Sequence, residues 1–172
     1  PYPDGLRTCG RCKGTGSGVR DDGYALCTLR EIPDRHWGMF ERACEAAGIP
    51  YKMTKHELSY ADYQDAIAGC RFMVAPLYEL STGGLSLLEA YRLGKPVLAS
   101  SSVWNAAGEY FGDRASYFPT GRGNDQYELQ KALVGMMNTG GKMAPDHKEW
   151  VETTYSDKRM VDDMLARIEM TK

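Results

Sequence analysis

Short apolar runs alternate with amphipathic stretches along most of this chain, and that alternation restricts its fold more than any single motif does. "YALCTL" (24–29) reads as a buried strand. "PDRHWGMFERACEAAG" follows, with Pro33 placed for a helix start, Gly48 for its end, and Trp37, Phe40, Cys44 and Ala47 spaced by three and four along one face. "IPYKMTKH" is a second strand candidate, and "SYADYQDAIAGC" a short helix with Ser59 as its N-cap. "RFMVAPL" is the clearest strand; "STGGLSLLEAYRLG" supplies the turn and helix after it. "KPVLASSS" is another strand, "AAGEYFGD" a turn with a helical piece, and "ASYFP" a short last strand. "NDQYELQKALVGMMNTGG" sets Leu129, Leu133, Met136 and Met137 on one side of a helix, and "HKEWVETTYSDKRMVDDMLARIEMTK" reads as the closing helices. Strands alternating with helices in this way imply parallel βαβ units, hence an α/β chain with a sheet covered by helices on both faces and a helical C-terminus.

Length and charge fit a single globular domain. The chain has 172 residues, 42% of them hydrophobic, and a formal charge of −2, without the basic excess that nucleic-acid binding favours. No apolar run approaches the roughly 18 residues that span a bilayer, so no transmembrane segment is expected. Cys27, Cys44 and Cys70 fall inside apolar patterns and read as core thiols. Nothing suggests a secreted disulfide framework, and the expected setting is reducing and cytoplasmic.

The N-terminal "CGRCKGTGSG" (9–18) resembles the CxxCxGxG repeat of DnaJ-type zinc fingers. A structural zinc takes four ligands. A second CxxC is missing, and His36, His56 and His147 are scattered. "GTGSG" also lacks the Gly-Lys-Ser/Thr ending of a P-loop. Residues 1–22 therefore read as a Gly-rich N-terminal arm or interdomain linker ahead of a domain over 23–172, and no metal site is expected. A zinc-binding interaction protein built on Cys9 and Cys12 is the weakest of the alternatives.

In sheets of this kind ligands bind beyond the carboxyl ends of the strands. Arg30, Arg35, Ser81, Gly83, Gly84 and Ser100 to Ser102 all fall in such loops or helix starts. A helix that starts just after two glycines offers free backbone N–H groups, a positive dipole end and close approach for a phosphate. Arg30 and Arg35, five residues apart, bring forked donors suited to the same phosphates. Glu89 stands on or beside the helix face that carries Leu85 and Leu88, so its carboxylate is partly buried and needs donors. Ribose hydroxyls would supply two; an ion pair with Arg92 or Lys95 is the structural alternative.

With those residues in view, the chain from about Gly23 onward resembles the C-terminal, donor-binding domain of GT-B retaining glycosyltransferases, the family with the Glu-x7-Glu motif. "STGGLSLLEA" matches that motif from Gly84 through Leu85, Leu88, Glu89 and Ala90, and "YRLGKPVLAS" continues as the family does. "LREIPDR" sets Arg30 and Arg35 at the spacing of the family's arginine and lysine. The resemblance implies one half of a GT-B fold, a Rossmann-like nucleotide-sugar-binding domain. It implies a glycosyltransferase reaction with retention, needing no cofactor and no divalent metal. Glu89 would hold the ribose of a nucleotide-diphosphate sugar donor, Arg30 and Arg35 would neutralise the diphosphate, and Thr82, Gly83, Gly84 and Leu85 would line the donor site. The first Glu of the motif should fall at position 81, which is Ser81; Glu79 lies two residues early. Glu79 is thus the candidate catalytic carboxylate and Ser81 a candidate sugar contact.

The acceptor is unspecified. An N-terminal GT-B acceptor domain is expected as a partner, in cis or in trans, and the isolated chain is expected to bind donor with little transfer. The main rival is a non-catalytic nucleotide- or phosphosugar-binding module that regulates a partner.

Overall fold

The computed structural model describes residues 20–28, 35–54, 58–76, 84–102, 107–121 and 123–155, with backbone alone at 35–37, 84–85 and 109. Five strands form one parallel sheet: β1 (Tyr24–Cys27), β2 (Tyr51–Met53), β3 (Cys70–Ala75), β4 (Val97–Ser100) and β5 (Ser116–Phe118). Their order is β2-β1-β3-β4-β5. The helices are α1 (Arg35–Ala47), α2 (Tyr60–Gly69), α3 (Gly84–Arg92), α4 (Ala107–Phe111), α5 (Asp125–Thr139) and α6 (His147–Thr154).

The inner strands β1, β3 and β4 are buried on both faces, and such strands need no polar alternation. Ala25, Cys27, Phe72, Val74, Leu98 and Phe118 point to one face, where α1 and α5 cover them with Phe40, Cys44, Leu129 and Leu133. Leu26, Met73, Ala75, Val97 and Ala99 point to the other, under Ile67, Leu87, Leu88, Tyr91, Phe111 and Val151 from α2, α3, α4 and α6. The fold is α/β and Rossmann-like, with helices on both faces, as the alternation predicts. Cys27, Cys44 and Cys70 are buried thiols outside any disulfide, as expected.

Several boundaries follow from single residues. Ser59 caps α2 by accepting from the Asp62 amide at 3.2 Å. Gly48 ends α1 with a positive φ of 65°, and Gly140 closes α5 at 77°. Two details differ from the sequence reading. The second strand is three residues, Tyr51–Met53, not the length of "IPYKMTKH"; its pattern is only half-buried, as fits the edge of the sheet. The helix of the glycine motif takes in Gly84 as its first residue instead of beginning after it. Beyond the domain's nominal start, residues 20–22 are tied down: Asp22 donates its amide to Gly69 O at 2.8 Å, and the buried Lys95 ammonium donates to the Arg20 carbonyl.

Candidate functional site

The site begins with the strand order. β2 follows β1 on one side, whereas β3 lies on the other side of β1. In sheets of this kind the ligand crevice lies where the strand order reverses, which here is beyond the carboxyl ends of β1 and β3. The chain leaves β1 through Thr28 and β3 through Pro76. Both segments that follow, 29–34 and 77–83, carry the motif residues. Arg30, Glu79, Ser81, Thr82 and Gly83 lie in them and so outside the described residues. Arg35 opens α1, and Gly84 and Leu85 open α3, each described by backbone alone. The architecture thus brings Arg35 and Gly84 to the starts of the two helices that follow β1 and β3.

Glu89 is the candidate whose side chain the structure describes. It sits on α3 beside the buried Leu88 and Ala90 and is itself half-buried. Its partner among the described residues is neither of the expected cations. The Tyr63 hydroxyl on α2 donates to Glu89 Oε2 at 2.7 Å. Arg92 instead donates to Glu152 through Nε at 3.1 Å and Nη2 at 2.8 Å. Lys95 points to the Arg20 carbonyl.

Burial, and then the Glu89 carboxylate, push the Tyr63 phenol well above its ordinary pKa, so it stays a neutral donor. The result is a side-chain hydrogen bond, Tyr63 to Glu89, joining α2 to α3. Sequence reasoning missed Tyr63, because it lies 26 positions before Glu89 on another helix and nothing in "SYADYQDAIAG" marks it.

A second polar group was also missed. Thr28 Oγ1 is shielded from solvent and has no hydrogen-bond partner among the described residues. Thr28 directly follows β1, on the carboxyl side of the crevice. By strand alternation it falls on the same face as Leu26, the face covered by α2 and α3. A hydroxyl left unpaired in such a place costs about 1–3 kcal/mol. Its sequence signal was there: a polar residue ending an otherwise apolar run.

No family model matches the chain, and no curated protein matches it. Solved structures do share its fold. The catalytic domain of starch synthase IV from Arabidopsis thaliana, bound to ADP and acarbose, superposes with a TM-score of 0.53 at 14% identity, over 83% of this chain and 36% of the other. The crystal structure of TarM superposes with a TM-score of 0.58 at 12% identity, over 86% of this chain and 35% of the other. At these identities the likeness is one of fold. The chain spans about a third of the length of either structure. Among the described residues, no helix is long and apolar enough to cross a membrane.

Proposed function

We propose that this chain is the donor-binding domain of a glycosyltransferase, taking a nucleotide-diphosphate sugar in the crevice between the carboxyl ends of β1 and β3. The observation that carries this reading is the half-buried Glu89 carboxylate on the helix that leaves β3, in a fold shared with a starch synthase domain solved with ADP. In this reading Glu89 accepts hydrogen bonds from the ribose hydroxyls. The first turn of α3, at Gly84 and Leu85, directs unpaired N–H groups at the diphosphate. Arg30 and Arg35 neutralise it as it departs, in place of a divalent metal. Thr82 and Gly83 line the approach. Glu79 or Ser81 meets the donor sugar, and transfer proceeds with retention.

The acceptor binds a second domain, supplied in cis or in trans. Ser81 in place of a motif glutamate favours one rival, a nucleotide-binding module without transfer activity.

Thermal-shift titration with UDP, GDP, ADP and NAD tests the reading. A nucleoside diphosphate should stabilise the chain, and Glu89→Ala and Arg30→Ala should each abolish the shift. Absence of a shift with every nucleotide would overturn it. A transfer assay on a form carrying an acceptor domain then separates enzyme from binding module.

A further inference from the structure

We propose that Tyr63 is a positioning residue for the donor ribose, holding one oxygen of Glu89 so that the other faces the sugar hydroxyls. The inference rests on the reading of Glu89 as the ribose holder and adds to it a residue from a different helix.

The geometry is specific. A carboxylate carries two oxygens with about four acceptor sites between them. The Tyr63 hydroxyl engages Oε2 at 2.7 Å, which leaves acceptor sites on the carboxylate for a vicinal diol. Without a tether, a glutamate on a helix surface samples several rotamers, and ordering it on binding costs side-chain entropy. Tyr63 removes that freedom beforehand. Its own ring is held by partial burial against the core on that face of the sheet and by Tyr60, whose ring centroid lies 6.3 Å away.

The chemistry of the tether matters as much as its position. An arginine or lysine in the same place would neutralise the carboxylate and compete with the ribose for it. A phenol donates one hydrogen bond and leaves the negative charge in place, so the bonds from sugar hydroxyls remain charge-assisted.

The test compares ADP, GDP and UDP with their 2′,3′-dideoxy counterparts by calorimetry on the wild-type chain, Tyr63→Phe and Tyr63→Leu. Wild type should prefer the ribose form of whichever base it accepts. Tyr63→Phe keeps the ring and removes the donor. It should weaken the ribose form by about tenfold while leaving the dideoxy form within about twofold, so that discrimination collapses. Tyr63→Leu, a second apolar side chain without the donor, should lose discrimination in the same direction, which keeps the inference testable if Tyr63→Phe folds poorly.

Equal discrimination in wild type and both variants would overturn the inference. So would an equal loss for both nucleotide forms, which marks a packing role alone. If the wild-type chain binds none of the three diphosphates, the donor-site reading itself fails and this inference falls with it. Those outcomes are distinct from one another.

Discussion

At Thr28 a hydroxyl is shielded from solvent without a partner among the described residues, at the strand end where the crevice opens. Valine has nearly the same shape and no hydroxyl to desolvate. Thr28→Val should therefore leave stability unchanged or raise it by about 1 kcal/mol in urea unfolding. If the hydroxyl serves a bound nucleotide, the same variant weakens nucleoside diphosphate binding. Loss of stability of 1 kcal/mol or more would show that the hydroxyl has a structural partner after all.

The buried thiols give a second prediction at this scale. Cys44 and Cys70 are each pushed up to about 12 by burial. Thiolate is the reactive form, so both should resist alkylation at pH 8 in the folded chain and react fully in denaturant. Site-resolved mass spectrometry of iodoacetamide-treated protein would show it; rapid labelling of either in the native state would contradict the burial. The sequence made these thiols legible through the apolar patterns around them. It made Glu89 legible too, as a carboxylate beside Leu88 and Ala90. What it did not reveal was Glu89's donor: the pairing with Tyr63 depends on how α2 lies against α3, and helix packing has no local signal.

Elements were more legible than contacts. All five strands stand where the apolar runs put them; β1, β3 and β4 are legible because a strand buried on both faces writes itself as a continuous apolar run. The edge strands β2 and β5 are three residues each and only partly buried, where one missing neighbour weakens the demand for apolar residues.

Helix α6 shows what the pattern leaves out. Its place on the sheet comes from side chains distant in sequence. Trp150 meets Tyr91 edge-on at 5.6 Å, and Phe111 lies 5.9 Å away. Arg114 lies over the Trp150 ring at 4.7 Å and forks onto both oxygens of Asp146 at 2.7 and 2.9 Å. The Arg114 guanidinium holds the Asp146 carboxyl below its ordinary value of 3.8. A depressed carboxylate stabilises the fold above its unfolded pKa and loses that contribution as pH falls through the folded value. Asp146→Asn should lower the melting temperature slightly at pH 7, since the pair is largely exposed. The gap to wild type should close as the pH is taken below about 3. A gap that stays constant down to acid pH would exclude the ion pair as its source.

Across the whole molecule, the strand order divides the chain into unequal regions with respect to a ligand. The strand-order reversal lies between β1 and β3, while β5 stands at the far edge of the sheet beyond β4. A nucleoside diphosphate that binds the native state alone adds about 2.7 kcal/mol at a hundred times its Kd. For a chain of this length that corresponds to a rise in melting temperature of about 5–10 °C. Global stabilisation says nothing about place, but native-state hydrogen exchange does. Local opening is suppressed mainly where the ligand bridges elements. Added protection should therefore concentrate at the carboxyl ends of β1 and β3, in the first turn of α3 and around Tyr63 on α2. Amides of β5 that exchange by local opening should be unaffected. Protection centred on β5 would place the ligand away from the strand-order reversal, and the roles proposed for Glu89 and Tyr63 would fail together. If protection gathers around α3 and α2 in wild type but fades at α2 alone in Tyr63→Phe, the hydrogen bond between those helices is what carries the ligand's effect from one to the other.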